Sequence, residues 1–397
     1  MTQAPRVVIV GASVGGITAA ETLRQEGFDG EIVVVGDERH LPYLRPPLSK
    51  QILLGEWEPE HASLQTAAAS EELGIELRTS CTARGLDVAA RVVRTSQGDL
   101  PYDELIVATG SEPRRHPLLP MALTLRTMDD ALALRDGLRS AHRVGVIGAG
   151  VLGSEIASAS RKHGAETLLL GRSGSLTFGG VGALLSGRLA RLHEDNGVEL
   201  ALHAEIVGAE AAPGGTRIQV ADGRSELVDL VVAMIGATPR TQWLDSSTLT
   251  IRDGVVCDSV GRAAPGVSAV GDVAAWEDPF TGLPARVEHQ SNAIEQAVAV
   301  AFRIVHGELG SQPVPLFWSE VHGTRIHAYG WFEPERPLVA AEGYSAAASA
   351  DGTAPAVLLS RDAADGVRGA VGWNAPPRDF RAARVAVLSA PVLATHS

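Results

Sequence analysis

The sequence predicts an α/β protein built from two Rossmann-like domains and a smaller C-terminal α+β domain. Three observations predict it. Two segments repeat one strand, turn, helix, strand plan. Several short apolar runs each stop at a glycine. The texture of the chain changes past Pro313-Val314-Pro315.

The first repeat runs from Arg6 to Asp37, with an apolar strand (Val7 to Val10), a small-residue turn (Gly11 to Gly16), a helix ending near Gly27, and a second strand (Glu31 to Val35). The second runs from Arg143 to Arg172, with a strand (Val144 to Ile147), a turn (Gly148 to Gly153), a helix ending at Gly164, and a strand (Thr167 to Leu170). Each is a β-α-β unit of about 30 residues, the size of a dinucleotide half-site.

Leu105 to Ala108 closes on Thr109-Gly110, Leu230 to Ile235 on Gly236, and Val267 to Val270 on Gly271-Asp272. Continuous apolar runs closed by glycine suit strands covered on both faces. Asn292 to Val305 reads as a helix, and residues 343–356, rich in Ala, Ser and Gly, as a loop. Shorter strand-like runs bearing Trp318, Trp331 and Trp373 mark the last domain. The expected division is residues 1–112 with 236–312, then 113–235, then 313–397.

Bulk properties narrow the function. A chain of 397 residues holds two or three domains. Its formal charge of −13 disfavours non-specific binding to nucleic acid or acidic membranes. Cys81 and Cys257 have neither redox-pair nor zinc spacing. There is no basic start followed by an apolar stretch, and no apolar run near the roughly 20 residues that span a bilayer. A cytoplasmic protein, monomeric or weakly dimeric, is expected.

The first turn reads Gly11-Ala12-Ser13-Val14-Gly15-Gly16, with Ser13 at the middle glycine of G-x-G-x-x-G. A helix starting here points free N–H groups and its positive dipole end at phosphates. Asp37, 21 residues after Gly16, stands where a carboxylate accepts hydrogen bonds from a ribose diol. The second turn, Gly148-Ala149-Gly150-Val151-Leu152-Gly153, fits the pattern fully, but Gly171 and Arg172 follow its second strand and no acid does. A missing carboxylate beside a guanidinium favours a 2′-phosphate, so NADPH is expected there. NADH with Arg172 as a surface residue, or a relaxed preference, is the alternative.

The chain resembles the FAD-dependent ferredoxin reductases that serve bacterial monooxygenase and dioxygenase systems, with a glutathione-reductase-like flavoprotein fold. The resemblance is carried by Tyr43-Leu44-Arg45-Pro46-Pro47-Leu48-Ser49-Lys50, Ala108-Thr109-Gly110, Gly271-Asp272, Arg286-Val287-Glu288, Asn292-Ala293 and Phe317-Trp318-Ser319-Glu320. It implies FAD on the first turn, with Arg45 near the phosphates and Asp272 accepting from ribityl hydroxyls or bridging to pyrophosphate. It extends the cofactor contacts to Thr109, Gly110, Gly236, Gly271 and the run Glu288, His289, Gln290, and turns the helix start near Asn292 toward the flavin. It places Lys50 near the flavin's reactive edge, Glu155 near the nicotinamide or paired with Lys50, and Trp318 beside the flavin. Read from the residues alone, these are a solvated lysine, a glutamate favoured by a helix N-terminus, and a core tryptophan. Lysine occurs only at Lys50 and Lys162, and an ammonium is not interchangeable with a guanidinium at a close site. The chain departs from the family pattern at Ser13, Leu44, Gly171 and Val321.

The resemblance implies hydride transfer from NAD(P)H and single-electron delivery to an acidic [2Fe–2S] ferredoxin, which would seek Arg368, Arg378, Arg381 and Arg384. An NAD(P)H oxidase or diaphorase without a protein acceptor, and a redox-sensing flavin-binding protein, are the competing readings. The two cysteines lie outside the positions where thiol-dependent relatives keep theirs, so electrons are expected to leave the flavin directly.

Overall fold

A computed structural model describes residues 4–64, 66–178, 181, 183–279, 281–308, 313–332, 336–344 and 354–389. The stretch expected as a loop over 343–356 lies mostly outside the described residues.

The expected α/β fold is what forms. Strand Arg6–Val10 pairs in parallel with Glu31–Val35 on one side and Glu104–Val107 on the other. Val267–Ala269 joins Glu104–Val107 in parallel, so two distant stretches of chain share one six-stranded sheet. Its central strands are buried on both faces: Val8, Ile9, Leu105 and Ile106 are fully enclosed. This explains why they read as unbroken apolar runs rather than alternating ones. Helix Val14–Gln25 packs against helix Gln290–His306. Ala19, Ala20, Ala297 and Ala301 lie buried on these helices, and such short side chains let two axes approach closely. The second helix starts at Gln290, two residues before its sequence-read start, because the His289 side chain caps it.

The second repeat forms a four-stranded sheet in which Arg143–Ile147 lies parallel to Glu166–Leu170 and Leu230–Ala233. The chain passes between the two sheets twice, and the short strands Ser111–Pro113 and Ala237–Pro239 at these crossings pair with each other. Past residue 313 a five-stranded antiparallel sheet forms, in the order Leu316–Val321, Thr324–Gly330, Val367–Trp373, Ala356–Arg361, Val339–Ala340. Helix Pro377–Leu388 covers it through Phe380, Ala383 and Val387.

This last sheet is fastened to the second repeat by buried polar groups. Arg188, on helix Ala183–Asp195, donates to the Ala354 carbonyl at 3.3 Å and lies over the Trp373 ring. His193 of the same helix meets His322 at 3.1 Å, and the His322 N–H donates to Ser158 Oγ at 2.9 Å. Burial first, then the neighbouring ring, pushes His193 from 6.5 down to about 3. Burial, then Lys162 and Arg161, pushes His322 to about 4. Both rings are therefore neutral in the folded state. The unfolded imidazoles take up protons as pH falls below 6.5 and the folded ones do not, so stability is full above that value and declines toward about 3. We expect His193→Gln to flatten this acid limb, measured as denaturant midpoint against pH. An unchanged slope would remove the pair from the acid response.

Candidate active site

The two glycine turns are built alike. Gly11 has φ +121°, and a Cβ there would stand 2.1 Å from the Ala108 carbonyl oxygen. Gly148 has φ +112°, with the same 2.1 Å approach to the Met234 carbonyl oxygen. A Cβ on Gly16 or Gly153 would fall 1.8 Å from the carbonyl oxygen of Gly11 or Gly148. These four glycines fix the turn and the close packing of helix on strand. The middle position differs. Gly150 has open space around its missing Cβ, the nearest atom being Thr177 Oγ1 at 3.8 Å. Ser13 puts a hydroxyl there, which accepts from Arg45 Nε at 3.3 Å.

Both turns open into one cleft of about 1420 Å³ at the carboxyl ends of the parallel strands, where open α/β sheets bind ligands. Its lining takes in Ser13, Arg45, Lys50, Thr109 and Gly110 from the first repeat's segment, and Gly148, Gly150, Glu155, Arg172 and Gly236 from the second's. Gly271, Asp272, Glu288, His289, Gln290 and Trp318 line it too. Gly11, Gly16 and Gly153 lie beneath it as supports. Asp37 is not on the lining: its carboxylate is held by Arg240 at 2.5 Å.

On the lining of the cleft three parts of the chain meet on one carboxylate. Lys50 Nζ lies 2.7 Å from Glu155 Oε2, and the hydroxyls of Ser49 and Ser319 donate to the two Glu155 oxygens at 2.5 Å each. Glu155 is 6% exposed and Lys50 14%. The ammonium also sits 5.2 Å from the Trp318 ring centroid. So Lys50, Glu155 and Trp318 are brought together, and the lysine is not a solvated one. Ser49 and Ser319 complete the set; their hydroxyls satisfy a carboxylate that would otherwise be costly to bury.

A second cluster lies at the first turn. Arg126 Nη2 contacts Asp272 Oδ2 at 2.9 Å, Ser111 Oγ donates to the same oxygen at 3.1 Å, and Arg45 donates to the Arg126 carbonyl. Burial, then the charge of Arg45, lowers the pKa of Arg126. Its Nε is buried with no hydrogen-bond partner among the described residues. Two guanidiniums crowded at a helix N-terminus suit a polyanion.

His289 ties the cleft together. Its Nδ1 accepts from the Ser291 N–H at 3.2 Å while Nε2 lies 3.3 Å from the Trp318 carbonyl oxygen. The ring thus caps a helix and holds the strand that carries Trp318. Burial above all lowers its pKa, keeping it neutral for both contacts. Neither cysteine lines the cleft; both are free and buried, and burial raises Cys257 to about 12. Val321 is fully buried in an apolar cluster, which accounts for an apolar residue at that position. Arg368 is locked to Asp362 at 2.6 Å and only 13% exposed, so it is not available to a partner, whereas Arg378 and Arg381 are exposed.

The family described as pyridine nucleotide-disulphide oxidoreductase matches residues 5–297. The chain belongs to it. This oxidoreductase is 34% identical over 336 residues to the benzene 1,2-dioxygenase system ferredoxin–NAD(+) reductase subunit of Pseudomonas putida, covering 83% of this chain and 82% of that one. It is 34% identical over 341 residues to terpredoxin reductase of a Pseudomonas species, covering 83% and 81%. Among solved structures, the covalent putidaredoxin reductase–putidaredoxin complex superimposes with a TM-score of 0.89 at 27% identity, over 97% of this chain and 94% of that one. Among the described residues, no helix of the oxidoreductase is long and apolar enough to cross a membrane.

Proposed function

We propose that this oxidoreductase is an FAD-dependent NAD(P)H:ferredoxin reductase that supplies electrons to an oxygenase from the cytoplasm. One observation carries the reading: the buried Lys50–Glu155 pair, covered by Trp318, stands between two dinucleotide turns that open into one cleft. The substrate classes follow the relatives, named as ferredoxin reductases of oxygenase systems.

The residues fit FAD on the first turn. The Gly11 to Gly16 cradle leaves no room for further side chains beneath it, the Arg45 and Arg126 cluster matches a pyrophosphate, and Asp272 meets Arg126 and Ser111 through Oδ2, which among the described residues leaves Oδ1 for a hydroxyl. FAD held there would supply hydride acceptance and single-electron release, chemistry that no side chain offers. The protein's part is placement and charge. The Gly148 to Gly153 turn holds the nicotinamide dinucleotide's phosphates. Lys50 holds positive charge on the cleft lining, and Glu155, fixed by two hydroxyls, keeps that ammonium in place. Trp318, anchored through His289, closes the C-terminal side and limits water. Each turnover converts one NAD(P)H and two oxidised ferredoxins into NAD(P)⁺, two reduced ferredoxins and one proton. We assign 1–112 with 236–312 to FAD, 113–235 to the nicotinamide dinucleotide, and 313–397 to the domain flanking the flavin.

Rapid-mixing spectroscopy of the yellow protein tests this: NADH or NADPH should bleach the flavin, and a [2Fe–2S] ferredoxin should restore it. With an acidic ferredoxin meeting Arg378 and Arg381, the second phase should slow as salt rises, because exposed charges are screened within about 10 Å at 0.1 M. A flavin that neither nucleotide bleaches would refute the reading. A salt-independent second phase would refute only the charged docking.

A further inference from the structure

We propose that the second turn selects an adenosine bearing a 2′-phosphate, so that NADPH rather than NADH is the preferred hydride donor. This rests on the reading of that turn as the nicotinamide dinucleotide site.

The protein contains its own internal standard, because the backbones of the two repeats correspond residue by residue around the ribose position. The Gly36 N–H donates to the Arg78 carbonyl at 2.9 Å, and the Gly171 N–H to the Ala201 carbonyl at 2.9 Å. A Cβ on Gly36 would meet Ala12 Cβ at 2.7 Å, and one on Gly171 would meet Ala149 Cβ at 2.8 Å. The Cys81 N–H donates to the Gly36 carbonyl and the Ala204 N–H to the Gly171 carbonyl. Ser80 and His203 share a left-handed backbone, φ 52° and 56°, and donate to the carbonyls of Glu38 and Ser173. Gly171 is therefore the counterpart of Gly36, not of an acid. Arg172 is the counterpart of Asp37, and Ser173 of Glu38.

This equivalence turns a missing acid into a charge reversal. Where the first repeat places two carboxylates, the second places a guanidinium and a hydroxyl. A carboxylate in this position accepts from a ribose diol and repels a phosphate; an arginine does the reverse. Arg172 and Ser173 are exposed on the cleft lining. Arg172 makes no ion pair or side-chain hydrogen bond among the described residues, so its donors are open to a ligand, whereas Asp37 is already engaged by Arg240. The one acid on this stretch of the lining, Glu205, follows Ala204 and so stands where Thr82 stands in the first repeat, away from the Asp37 counterpart. It forms no ion pair with Arg172 among the described residues.

The test is calorimetric titration of the FAD-loaded protein with adenosine 2′,5′-bisphosphate and with adenosine 5′-monophosphate, which differ only in the 2′-phosphate. The bisphosphate should bind about tenfold tighter or more, the worth of a charge-assisted hydrogen bond. Arg172→Ala should bring the ratio near unity with the monophosphate unchanged, and Arg172→Asp should invert it. Equal affinities, or a ratio that survives Arg172→Ala, overturn the proposal and leave the nucleotide site standing. Binding of neither ligand overturns the site assignment, and this proposal with it.

Discussion

Replacing Lys50 with alanine should slow reduction of the bound flavin by NAD(P)H about a hundredfold, the usual worth of a preorganised charge beside reacting atoms. FAD content should change little, because the cationic contacts expected for its phosphates are Arg45 and Arg126, which pair with Ser13 and Asp272 and not with Lys50 or Glu155. The variant should also be less stable. Glu155 would keep its Ser49 and Ser319 hydroxyls but lose its counter-charge, and leaving a buried carboxylate unpaired costs on the order of 3 kcal/mol. Adding Glu155→Gln to Lys50→Ala separates the two effects: it removes the unpaired buried charge, and the amide accepts from one serine hydroxyl while donating to the other, so stability should recover more than rate. Rapid-mixing absorbance gives the rate and thermal denaturation the stability. An unchanged reduction rate in Lys50→Ala would take the ammonium out of the reaction.

The second large effect is expected at Gly16. An added methyl would sit 1.8 Å from the Gly11 carbonyl oxygen, well inside contact distance, and backbone must move to admit it. We expect Gly16→Ala to yield protein that does not retain FAD, read as the loss of flavin absorbance after gel filtration. Gly150→Ala is the control on the other turn. Its methyl meets nothing closer than 3.8 Å, so the fold and flavin should persist and only nucleotide affinity should fall. The native Ser13 shows that this middle position tolerates a side chain in the protein itself. Full flavin occupancy in Gly16→Ala would mean that the first turn is not the cradle.

Much of this architecture was legible in the chain because its rules are local. Glycines that must take φ near +110° or admit a crossing carbonyl declare themselves by spacing, and doubly covered strands by unbroken apolar runs. The pairs that fix the site are not local. Asp37 reads as a free ribose acceptor until Arg240, some 200 residues later, is seen to hold it. Arg126 carries no motif, and only the fold brings it to Asp272. Ser49 and Ser319 look like ordinary serines until both hydroxyls meet one buried carboxylate. Lys50 and Glu155 are a similar case: residue chemistry alone left each with a commonplace explanation, and family likeness joined them. His289 combines a local signal, a cap before a helix, with a distant one, the strand of Trp318.

The scarcity of lysine gives the cleft an unusual chemical address. Apart from the terminal amine, only Lys50 and Lys162 offer nitrogen to acylating reagents, and Lys50 is recessed within the cleft. Amine labelling followed by peptide mapping therefore reads the state of the cleft at a single residue, without a mutation. Labelling of Lys50 should fade as ligands fill the space around it, while Lys162 serves as the reference on the same molecule.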